Sequence, residues 1–206
     1  MLRSLRGPVA AGLCCLALAA CHSSPQVSEA PGPGYRFRGV YKPIETAEAA
    51  RLSAKYPEFF EVLMAGYASE DADARVVRAD LVREPTDASS YDALNAVAVV
   101  FFELHRRAER ARGGGASEFL RANFRATKVM AVAWRAYGEV DDPRLRSAIL
   151  DFYEDMLLGN KPGLRAVRGR FTPTVESLLK WETQPELRAR IEGLVAEASE
   201  FQRSGR

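Results

Sequence analysis

Apolar residues recur at three- and four-residue intervals from about position 44 to the C-terminus, and no stretch of useful length alternates apolar with polar. That pattern predicts an all-α chain. The strongest signal is 93–104, twelve residues in which only Asn95 and Glu103 are polar. Such a run is too short to span a bilayer and reads as a buried core helix. The helix should start at Ser89 or Ser90 as N-cap and end near Arg112, where Gly113-Gly114-Gly115 stops it. Upstream, Pro57 should split 46–65 into two short helices after Tyr56, and Pro85 should end a helix over 71–84. Downstream, Ser117 should cap a helix with apolar positions Leu120, Phe124, Met130, Trp134 and Tyr137. Pro143 should open another with the stripe Leu145, Ile149, Phe152 and Met156. Two more are predicted over 173–181 and 185–201, the second carrying Leu187, Ile191, Leu194 and Ala198.

Pro143-Arg144-Leu145-Arg146, followed by Ile149 and Phe152, is echoed 42 residues later by Pro185-Glu186-Leu187-Arg188, followed by Ile191 and Leu194. The spacing resembles HEAT-type helical repeats, which run about 40–47 residues, although stacking of that kind needs at least three copies. The expectation is therefore six to eight helices, as a compact bundle or an irregular HEAT-like array.

The N-terminus follows a different rule. Arg3 and Arg6 form a cationic start, 9–20 are mostly small and apolar, and the run closes with Leu18-Ala19-Ala20-Cys21. This resembles the lipobox signal of bacterial lipoproteins. The resemblance implies cleavage after residue 20, acylation of Cys21 with chains such as palmitate, and firm membrane anchoring, since each buried methylene contributes about 0.8 kcal/mol. His22 stands where an aspartate would favour inner-membrane retention, so the resemblance points to the outer membrane and its periplasmic face. Residues 21–43, rich in Ser, Pro and Gly, read as a tether with a reach of roughly 25 Å. Within it, Tyr35 to Tyr41 alternates aromatics and reads as an extended strap on the domain. The division is 1–20 signal, 21–43 anchor and tether, 44–206 helical periplasmic domain.

Removing the signal changes the charge picture. The chain holds 29 Lys+Arg and 27 Asp+Glu, and the signal takes two of the arginines, so the remainder is formally neutral. A global field for nucleic acid is thereby excluded. All three cysteines, Cys14, Cys15 and Cys21, precede the domain, and His22 and His105 are the only histidines. A cysteine nucleophile, a cysteine-ligated zinc and a multi-histidine metal site are excluded in the domain, and no cofactor is implied. His105 with Glu109 would supply only two ligands. No Gly-x-Ser-x-Gly elbow occurs, and the glycine run lacks a phosphate-loop lysine. Glu176-Ser177 shares a dipeptide with lytic transglycosylases but none of their flanking motifs. Asp141 and Asp142, beside Pro143, read as helix-start acids. The chain is not expected to be an enzyme.

Charge is strongly segregated along this neutral chain. Residues 93–135 carry 8 basic and 3 acidic groups, 136–155 carry 2 and 6, and 156–175 carry Lys161, Arg165, Arg168 and Arg170 with no acid. The cations after Glu103 read as complements to a helix dipole. Lys161, Arg165, Arg168 and Arg170 form the candidate partner-binding patch, suited to carboxylates; the competing reading pairs them with Asp151, Glu154 and Asp155. The expected function is a lipid-anchored protein-binding module: an immunity-type inhibitor, or an accessory of an envelope machine. The alternatives are a carrier of a small amphiphile lined by Trp134, Tyr137, Phe152 and Tyr153, and, behind it, a cell-wall hydrolase.

Overall fold

The computed structural model describes residues 47–61, 74–111, 116–159 and 162–204, and the side chains of all of these except 116, 117 and 162–168. The signal, Cys21, the tether and the 35–41 strap lie outside the described residues. Among the described residues the chain forms eight α-helices, one 3-10 turn and no strand.

Helix α1 (Ala47–Lys55) and α2 (Pro57–Glu61) meet at Tyr56, where proline breaks the ladder as the sequence requires. Helix α3 is Arg75–Leu81, shorter than the expected 71–84: Val82 leaves the helical region, and a cis Glu84–Pro85 bond follows. Helix α4 (Ala88–Ala111) is capped by Asp87 rather than by a serine, its Oδ1 accepting from Ser89 N at 2.7 Å. A carboxylate is a strong acceptor at a helix start, and Ser90 is fully buried.

Helix α5 (Ala116–Tyr137) starts ahead of Ser117, so that serine is not its N-cap. Its apolar stripe differs from the expected one at the start, where Leu120 and Phe124 are exposed; Met130 and Tyr137 are buried as expected, together with Ala122, Ala126, Val129, Ala133 and Ala136. Small residues form the packed face, which lets α5 approach α4 closely. Helix α6 (Pro143–Leu158) carries Pro143 at its first position and Asp142 as its cap, accepting from Arg144 N at 2.8 Å. Helix α7 (Pro162–Glu176) runs through Pro173 instead of restarting there. The proline is exposed and removes a single ladder bond, and four residues later the chain tightens into the 3-10 turn Ser177–Lys180. Helix α8 is Pro185–Arg203.

The centre is α4, which touches α1, α3, α5, α6 and α7, while α6, α7 and α8 also pack on one another. In a linear repeat array each unit meets only its neighbours, so this is a bundle around one helix rather than a HEAT-like stack. Phe101 of α4 is the hub, edge-on to Phe152 of α6 at 5.6 Å and to Phe171 of α7 at 6.1 Å. Each such ring contributes about 1.5–3 kcal/mol by burial. No helix among the described residues is long and apolar enough to cross a membrane.

Buried acids clamp the periphery to this core. Asp92 of α4 accepts from Arg51 and, at 2.8 Å, from Lys55 of α1. Burial alone would raise its pKa, but the two cations outweigh it and hold the carboxyl below the usual range. Tyr56 donates to Asp80 of α3 at 2.8 Å, and its hydroxyl is pushed up by burial and by that carboxylate.

Candidate interaction surface

The patch expected at 161–170 is only partly described. Lys161 and the side chains of Arg165 and Arg168 lie outside the described residues, and Arg170 is exposed on α7. Two of the acids expected to neutralise the patch are engaged elsewhere: Arg190 of α8 binds Asp151 and, at 2.7 Å, Glu154, and it also donates to Ser147. Arg190 was not singled out in the sequence because nothing local marks a contact across 39 residues.

The cations at the end of α4 do more than offset a dipole. Arg106, Arg107 and Arg110 converge on Glu103, a carboxylate only 1% exposed, at 2.7, 3.2 and 3.4 Å. His105 is buried and stacked parallel to Phe101 at 6.3 Å. Among the described residues no three groups stand together as metal ligands.

A second buried hub was invisible in the sequence. Glu182, between the 3-10 turn and α8, accepts from Tyr137 at one oxygen and from Gln184 N at 2.8 Å at the other. Arg146 of α6 reaches that second oxygen at 3.4 Å and donates to Val140 O at 2.6 Å. Burial, then the Glu182 carboxylate, push the Tyr137 hydroxyl far above its ordinary value. The hub locks α5, α6 and the start of α8 together.

Of the side chains expected to line a carrier cavity, Phe152 and Tyr153 pack ring against ring at 5.3 Å and Tyr137 is fully buried against Glu182, whereas Trp134 is only partly buried. The hydroxyl of Ser177 is likewise committed, donating to Thr174 O at 2.6 Å and accepting from Trp134 Nε1 at 2.8 Å. Glu176 beside it is exposed at the end of α7.

Trp134 is instead part of a surface cluster. Its ring stands edge-on to Trp181 at 4.7 Å, and both indoles are partly exposed. Lys180 Nζ sits 3.8 Å from the Trp181 centroid and 4.6 Å from that of Trp134. A cation so placed is attracted by both ring faces. The two indoles are therefore held rigid while still facing water.

From this cluster a cationic stripe runs along α5. At about 100° per residue, Leu120, Phe124, Lys128, Ala131 and Arg135 fall within an arc of about 80°, with Arg121 at its edge. Leu120 is 64% and Phe124 55% exposed, and Lys128 Nζ lies 4.5 Å over the Phe124 ring. Glu118 is the one acid of α5 and lies outside that arc. The sequence showed the positive block of 93–135; the burial of the alanine face shows which of its residues meet solvent.

No protein-family model matches this chain, and neither the curated proteins nor the solved structures compared with it give a match.

Proposed function

We propose that the chain is an outer-membrane lipoprotein whose periplasmic helical domain binds an acidic protein partner through Trp134, Trp181 and Lys180. The observation that carries this reading is the pair of indoles fixed against each other under one ammonium group and open to solvent. Immobilised tryptophans bury large area at low entropy cost, which is why they anchor interfaces, and Lys180 with Arg135 supplies the charge that selects an acidic face. Arg170, with Lys161, Arg165 and Arg168 just before it in the sequence, extends the same preference. Such a partner suits both an inhibitor of an envelope-directed toxin and an accessory of an envelope machine. Cys21, through its acyl chains, keeps the domain at the periplasmic face of the outer membrane.

Two measurements test the two parts of this reading. Labelling with a fatty-acid analogue should mark the wild type and not Cys21→Ser; labelling of the serine variant contradicts the anchor. A pull-down from solubilised envelopes should recover a discrete protein with the wild type and lose it with Trp181→Ala and with Lys180→Glu. Equal recovery by all three contradicts the surface.

A further inference from the structure

We propose that the N-terminal half of α5 is a membrane-facing surface, with Leu120 and Phe124 entering the headgroup region of a bilayer rich in anionic phospholipid. Arg121 and Lys128 then meet the lipid phosphates. This rests on the lipid-anchored reading above, which keeps a bilayer within the reach of the tether.

Three observations on this half of α5 converge. Val76, Leu120 and Phe124 are the large apolar side chains exposed among the described residues, and two of the three stand one helical turn apart here. Placing them in water-facing positions gives the fold nothing, because the opposite, alanine-rich face of α5 already packs on α4. Second, the charge beside them is positive: Lys128 lies in the same arc of the helix and Arg121 at its edge, while Glu118 lies about 80° beyond that arc. Third, the Lys128 ammonium rides over the Phe124 ring at 4.5 Å. An aromatic ring at acyl depth with a long cationic side chain rising beside it toward the phosphates is the arrangement by which amphipathic helices lie in an interface. An anionic bilayer complements both halves of this surface at once. Cationic residues are drawn to it by its surface potential, and the attraction is screened by salt. The Trp134–Trp181 end of the stripe, beyond Ala131, remains available to a protein.

The test uses the full chain, purified from membranes and reconstituted in vesicles, with Phe124→Trp as reporter and the wild type subtracted to remove Trp134 and Trp181. In vesicles of phosphatidylethanolamine with phosphatidylglycerol, brominated acyl chains should quench the added indole at least about two-fold more than in phosphatidylcholine alone, and about 0.5 M salt should remove most of that difference. Adding Leu120→Asp and Arg121→Glu should abolish the extra quenching while the chain still sediments with the vesicles. Equal quenching in both lipids, or none, overturns the proposal. So does an indole already blue-shifted without vesicles and unchanged by them, which would mean that protein covers the site. Loss of sedimentation instead counts against the anchor, so the two failures are read separately.

Discussion

Trp181 lies against the point where Gly138 has no side chain: a Cβ there would stand 2.8 Å from the indole Cε2 and 2.9 Å from Cδ2. The missing atom lets the turn after α5 receive the indole, which in turn places Lys180 over Trp134. Gly138→Ala should therefore push Trp181 outward at a cost of about 1–3 kcal/mol, as overpacking does. A red-shifted tryptophan emission and a lower melting midpoint check this; an unchanged spectrum contradicts the packing.

The two faces of α5 should respond in opposite ways. Phe124→Ser removes an exposed ring and should change stability by no more than about 0.5 kcal/mol, whereas Ala126→Leu forces three more carbon atoms into the α4 contact and should cost about 1–3 kcal/mol. Urea midpoints of the two variants measure it. The reverse order would restore the apolar stripe that side-chain size alone suggested.

Removing the Tyr137 hydroxyl leaves one buried oxygen of Glu182 without its donor, and Tyr137→Phe should cost about 1–3 kcal/mol. Glu182→Ala strands Arg146 as well and should cost about 3–5 kcal/mol. Denaturation of both variants gives the comparison; a larger loss from the tyrosine would mean that Arg146 finds another partner.

The pH dependence follows from depressed carboxyls. Asp92 is held down by Arg51 and Lys55 against its burial, and Asp142 by the side chain and backbone N–H of Arg144. Their stabilisation is complete above the unfolded aspartate value of about 3.9 and is lost as pH falls through the lower folded values. Asp92→Asn should destabilise at pH 7, and its gap from the wild type should narrow toward pH 3. A gap independent of pH would show that the clamp does not act through charge.

The helix-by-helix layout was legible because proline placement and apolar period act locally: Pro57, Pro143 and Pro185 stand where the sequence sets them, at the first position of α2, α6 and α8. Asp142 as a helix-start acid was legible for the same reason. The face of α5 was not, because Leu120 and Phe124 carry the apolar signal while alanines do the packing. Nor was Glu182, whose partners lie 36 and 45 residues away. The Trp134–Trp181–Lys180 cluster depends on a 3-10 turn that Pro173 hid by reading as a helix start. Trp134 itself reads as core in the helical period and is only partly buried, packed against the core with its Nε1 donating to Ser177.

We propose that the domain, held at a membrane by the proposed lipid anchor, meets a protein partner at the tryptophan end of α5. The most direct measurement is photo-crosslinking in living cells from a benzoylphenylalanine replacing exposed Thr183, two residues from Trp181, with the same probe at exposed Glu197 of α8 as the control position. The account predicts a discrete protein adduct from position 183 that disappears when Trp134→Ala is added, and none from position 197. No adduct at 183, or the same adduct from both positions, would contradict it.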